Sequence, residues 1–165
     1  MKLELKKYIE KNYWILIFQI GFILIIIMAI ISAFPGLGQC SVLAGKILAP
    51  FCHQRTDRSL YLLGHKIGLC TRCFSLYLSM LFTSVIGSLI GFEKFKKIPL
   101  IILIVFFIVM PVDGISLFMI KGYSSPTLWR SFTGVLFGFA MISFFFPIID
   151  KLQKEIYELK QDAGK

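Results

Sequence analysis

Charge is scarce in this chain. Of its 165 residues, 16% are charged and 57% are hydrophobic, and the mean hydropathy is +0.80. Soluble domains run at roughly 45–50% apolar. The imbalance excludes an ordinary soluble domain. Histidine is rarer still, with two residues, and cysteine supplies four. Chemistry that needs an imidazole or a thiol therefore has few places to sit. No internal repeat is evident, and the length leaves no room for a second domain. The formal charge of +9 would suggest nucleic acid in a soluble protein. No basic, aromatic-interleaved surface lies free of the apolar runs, which argues against a nucleic-acid partner. Positive-inside topology and anionic lipid headgroups account for the excess instead.

Long apolar runs are what the chain has in abundance. About 20 such residues cross a hydrocarbon core of ~30 Å. Four spans are expected, at about 14–34, 74–92, 98–120 and 127–149, within a single membrane domain of residues 1–165. Lys2, Lys6, Lys7 and Lys11 precede the first, and Tyr13 and Trp14 suit its interfacial belt. The first run exceeds a signal peptide's apolar core of about 7–15 residues. Gln39 also fits poorly before Cys40 in a lipoprotein cleavage box, so this helix is expected to stay uncleaved. Pro35 and the Gly-Leu-Gly after it end the span. Ser41 to Phe51 is short and mildly amphipathic, suited to the interface or to re-entry. Thr56 is expected to cap a short helix through Leu63, with Gly64 ending it. Lys121 to Ser125 reads as a turn, and Asp150 to Lys165 as a charged tail.

Orientation follows from lysine. Placing both termini and the Lys94–Lys97 loop on one side gives that side eleven of the 18 Lys and Arg. The rule then favours both termini in the cytoplasm of a multi-pass cell-membrane protein. The segment between the first two spans faces outward.

That segment holds the polar residues. Phe51 to Tyr77 reads FCHQRTDRSLYLLGHKIGLCTRCFSLY and contains three of the four cysteines, both histidines and three arginines. A bare polar group in hydrocarbon costs several kcal/mol, so such residues pair, bind or react. Cys52, His53, His65, Cys70 and Cys73 are five candidate metal ligands. Zinc takes four, from thiolate sulfur and imidazole nitrogen, and a CxxC places two thiols on one lip of a turn. The spacing lies near known zinc layouts without matching one. Two disulfides, with Cys40 as the extra partner, are the competing reading on an outward face. A redox-active Cys70/Cys73 pair, with its thiol activated by Arg72, is a third.

Two charges fall inside spans. Asp113 follows Pro111 in the third, and Arg130 lies early in the fourth. Ionisable residues at such depth are paired or functional. The expected topology puts both, with Cys73, in the outer leaflet. The simple reading is an Asp113–Arg130 salt bridge. The sharper one makes Asp113 a base or metal partner. Arg130 then becomes an anion clamp joined by Arg58 and Arg72, since a guanidinium fork matches phosphate and carboxylate. Tyr77, Gln54, Ser125 and Thr133 are candidate neighbours. Pro111 removes an amide donor and Gly114 permits close approach.

These motifs together resemble a family of small prokaryotic multi-pass membrane proteins known only as a domain of unknown function. The matching residues are Cys52-His53-Gln54 with Arg58 and Ser59; Gly64-His65 with Cys70, Arg72, Cys73 and Tyr77; Pro111 with Asp113 and Gly114; and Ser125 with Arg130, Thr133 and Gly134. The resemblance runs from about Phe51 to Gly138. Family members often carry Gly after the second motif cysteine, where this chain has Phe74 and Ser75, and Gln after the Asp-Gly, where it has Phe118. The resemblance implies membrane location and a shared polar site.

The expected fold is an all-α integral membrane protein of four transmembrane helices, with a polar Cys/His cap at residues 40–73. The expected function is a zinc-binding membrane protein with an outer-leaflet site. It would act as a hydrolase or transferase on a lipid-like, lipid-linked or anionic molecule, with Asp113, Arg130 and Arg58 in the chemistry. A thiol–disulfide or quinone-linked redox protein is the alternative, and a transporter or assembly factor a further one. Membrane lipids are the expected surroundings.

Overall fold

A computed structural model describes residues 2–119 and 125–162. It is mostly helical, with five helices and one two-stranded sheet among those residues. Helix α1 spans Lys2–Ile31, α2 Gln39–Leu48, α3 Thr71–Ile90, α4 Leu100–Met119 and α5 Thr127–Asp162. Strands β1, Ser59–Leu62, and β2, His65–Cys70, lie between α2 and α3. The turn expected at Lys121 to Ser125 falls, apart from Ser125, outside the described residues.

Among the described residues, three stretches are long and apolar enough to cross a membrane: Tyr13–Ile31, Thr71–Ile90 and Thr127–Tyr157. The apolar part of α4 described with its side chains, Leu100–Ile115, is shorter than a full span. Three of the four expected spans are thus met by length and composition, and α4 stands at the place of the expected span at 98–120. Pro111 sits inside an unbroken α4. The charged tail is not a separate segment, because α5 carries on through it to Asp162.

The helices meet where side chains are smallest. Gly134 and Gly138 of α5 form a GVLFG segment pressed against α3. A Cβ on Gly134 would lie 2.5 Å from the Arg72 carbonyl oxygen, and one on Gly138 2.5 Å from that of Leu76. Lipid offers no hydrophobic drive for helices to associate, so close backbone packing replaces it. The Ser79 hydroxyl donates to the Val135 carbonyl at 2.8 Å across the same seam. Below it, Phe92, Phe95 and Phe146 pack with Ile15, Leu76, Met80 and Ile142. Gln19 of α1 donates to the Ser88 hydroxyl of α3 at 2.9 Å, satisfying a polar pair inside the bundle.

The cap differs from the expected helix. Thr56–Arg58 make a single 3-10 turn without a side-chain cap, and the chain then enters a β-hairpin. Leu62 pairs with His65, and Tyr61 with Lys66. Leu63 and Gly64, between the strands, have φ of 50° and 79°. Two left-handed residues make the two-residue turn whose twist matches paired strands. The Leu-Gly pair, expected to end a helix, turns a hairpin instead. Strand β2 lies against α1 and α2 with Ile67 and Leu69 buried among Ala29, Ala33 and Leu48. Gly68 is closely packed there, since a Cβ would fall 2.3 Å from the Ser32 hydroxyl oxygen and 3.0 Å from its Cβ.

Candidate metal centre

Three elements each deliver one cysteine. Cys52 closes the segment after α2, where its amide donates to the Leu48 carbonyl at 3.1 Å. Cys70 ends β2 and is the residue before α3, and Cys73 lies in the first turn of α3. Their sulfur atoms all lie within 4.8 Å of one another. Tetrahedral zinc with Zn–S bonds of 2.3 Å needs sulfurs about 3.8 Å apart, which this cluster can meet. Two backbone amides also point at Cys52 Sγ, from Cys70 at 3.1 Å and Gln54 at 3.5 Å. Gln54 reaches that position in a left-handed conformation, φ 50°, held by its side-chain donation to the Gly45 carbonyl at 2.6 Å and by Lys66 donating to its own carbonyl.

Those donors set the electrostatics. Hydrogen bonds from the Cys70 and Cys73 thiols, then from the two amides, outweigh burial and bring the Cys52 thiol down to about 2. Cys70 moves up, first because Cys52 accepts its proton. The hydrogen bonds converging on Cys52 Sγ thus favour its charged form. Amide donation to sulfur is also what stabilises a thiolate ligand, so these residues fit a bound zinc ion on the chemistry of the donor set alone.

All four cysteines are free. Cys40 is exposed on α2, outside the sulfur cluster, so the arrangement of two disulfides built on it is not the one seen. The histidines also stand outside the cluster. His53 is exposed on the wall of the adjoining cavity. His65 is exposed at the hairpin end, beside a separate recess near Pro35 and Leu63.

The cluster opens into a cavity of about 420 Å³. Met110 and Gly114 of α4 and Phe51 of the cap form part of its wall. Arg55, Arg58, Arg72 and Arg130 line the rest. The first two are fixed through their backbones: the Ser59 hydroxyl donates to the Arg55 carbonyl at 2.8 Å, and the Thr71 hydroxyl to that of Arg58 at 3.1 Å. Arg130 is buried in α5, its Nε donating to the Ser125 hydroxyl at 3.0 Å, while Thr133 bonds its carbonyl at 3.1 Å.

Asp113 is buried and takes a hydrogen bond from Arg72 Nη2. The simple sequence reading paired it with Arg130; the structure shows an ion pair with Arg72. The reason is geometric. Arg72 occupies the first turn of α3, next to the level of α4 that holds Asp113 and Gly114, where an added Cβ on Gly114 would stand 3.6 Å from Arg72 Nη1. Sequence reasoning did not single out Arg55 as a site residue. Arginine occurs only four times in the chain, and that rarity was the available signal.

A helical membrane protein with three thiols beside an arginine-lined cavity is the class these features define. Within it, the chain belongs to the family described as "Predicted membrane protein (DUF2085)", which matches residues 52–144. The matched stretch begins at Cys52 and takes in the three clustered cysteines, the four arginines and Asp113. Uncharacterized protein MJ1492 of Methanocaldococcus jannaschii is 35% identical over 98 residues, covering 59% of this chain. The match spans 62% of that relative's length. No solved structure matches the chain.

Proposed function

We propose that this protein is a zinc-binding membrane protein whose cluster of Cys52, Cys70 and Cys73 holds the metal at the mouth of a substrate cavity. The observation that carries the reading is the approach of three sulfurs to within 4.8 Å, two of them from a CxxC and the third held by two amides. Three protein donors leave room for a further ligand, as in sites that work on a substrate. When bound, zinc supplies a Lewis acid there. The protein's own part is to hold the thiolates, to line the cavity with guanidinium groups and to keep Arg72 in place through Asp113. Asp113 is a positioning residue in this reading. The reaction class that fits is hydrolysis or group transfer.

The proposal also includes orientation. The twenty residues of α4 rise ~30 Å, enough to cross the hydrocarbon core. With α4 as a fourth crossing, both termini and the Lys94–Lys97 loop lie in the cytoplasm, and the cavity opens toward the outer leaflet.

Metal analysis combined with thiol counting on the purified protein tests the site. One zinc per chain is expected, with three thiols that react only after a chelator is added. Metal-free protein carrying a Cys70–Cys73 disulfide would replace this reading with a thiol–disulfide one, which the same proximity of sulfurs would serve.

A further inference from the structure

All four arginines of the chain line the cavity beside the cysteine cluster, and among the described residues none of the fourteen lysines does. Positive charge alone would be met by either residue. Lysine is the commoner cation here by more than three to one, and Lys46 and Lys66 lie in the same cap. What arginine adds is a rigid planar fork that binds oxyanions through two parallel hydrogen bonds. The four forks come from three separate places: the turn before β1, the first turn of α3, and α5. Their convergence is a product of the fold rather than of local composition.

The cavity is arranged for an acceptor. No carboxylate occurs among the described residues that line it. Asp113 is not among its lining residues and engages one end of Arg72. Arg72 Nε is buried and has no hydrogen-bond partner among the described residues. A buried donor left unmade is costly, and an oxyanion in the cavity would meet it. A carboxylate has two oxygens for these forks, whereas a phosphate brings three or more. Phe51 and Met110 add an apolar wall beside the polar one.

We infer that the cavity binds a phosphate group, held by Arg58, Arg72 and Arg130, next to the cysteine cluster. The inference deepens the metal-site reading, since it names the ligand class of the same cavity. Calorimetric titration of the purified protein in detergent tests it with two probes: inorganic phosphate, and phosphatidic acid in mixed micelles against phosphatidylcholine as the blank. Saturable binding of at least one phosphate probe is expected. Arg130→Lys and Arg58→Lys keep the charge and lose the fork, so each should weaken binding tenfold or more. Lys94→Gln, outside the cavity, should leave it unchanged. A tenfold preference for phosphatidic acid assigns the phosphate to a lipid headgroup, and equal affinity assigns it to a soluble phosphate. Either result supports the inference. Circular dichroism of the same samples shows whether each variant is folded, and their zinc content separates the two claims, because phosphate binding by metal-free protein removes the metal reading alone. No saturable binding of either probe by the unaltered protein would overturn the inference. So would Arg→Lys variants that bind within twofold of it.

Discussion

In the proposed site Cys52, Cys70 and Cys73 share one metal ion, so replacing any of them is expected to have the same result. Cys73→Ser should bring the metal content from one per chain to near zero by elemental analysis. His65→Ala, at the exposed hairpin end, should leave it at one. Metal retained by Cys73→Ser would remove the three-sulfur site. The Arg72–Asp113 pair gives a second test at this scale. Removing one partner of a buried pair costs about 3–5 kcal/mol, because the other charge is left alone. Asp113→Asn should therefore lower the unfolding temperature strongly, and adding Arg72→Met should recover most of the loss. An Asp113→Asn variant as stable as the parent would show that the pair contributes nothing. The candidate residues themselves were legible in sequence: thiols, guanidinium groups and a carboxylate stand out against an apolar background. The contact with Arg72 was not: Asp113 lies 41 residues from it in sequence, and their ion pair bridges α3 and α4.

At the scale of elements, glycine marks where the chain has no freedom. Gly134→Ala would place a methyl 2.5 Å from the Arg72 carbonyl oxygen, so α5 must move from α3. Overpacking of this kind costs about 1–3 kcal/mol. Gly21 of α1 has nothing within 4 Å of an added Cβ, and Gly21→Ala should be neutral or gain up to about 1 kcal/mol from helix propensity. Thermal unfolding in one detergent compares the two directly. Equal behaviour would mean that α3 and α5 do not meet at that glycine. The helices were legible because hydrocarbon permits little else in a long apolar run. The hairpin was not. Ser59 to Cys70 carries no Asn-Gly or Asp-Gly signal, and Leu63 adopts its left-handed turn because β2 is anchored below by Ile67 and Leu69. The tertiary contact outweighs the local preference, as is usual for short strands.

For the molecule as a whole, the prediction concerns its setting in the membrane. A single cysteine placed in the Lys94–Lys97 loop, in a chain lacking its native ones, should react with a membrane-impermeant maleimide only after the cells are opened. Rapid labelling of intact cells would invert the orientation and place the cavity on the cytoplasmic side. Either way the two halves of the site share a mounting. Arg72 stands between Cys70 and Cys73 where β2 gives way to α3, and its guanidinium is tied to Asp113 on a different helix. Whatever settles the sulfurs also settles that guanidinium, and the converse holds with equal strength. Thermodynamic linkage then makes the effect of each occupant on the other the same in size and sign. Zinc should tighten phosphate, phosphate should slow the escape of zinc to a chelator, and a chain deprived of one should hold the other loosely.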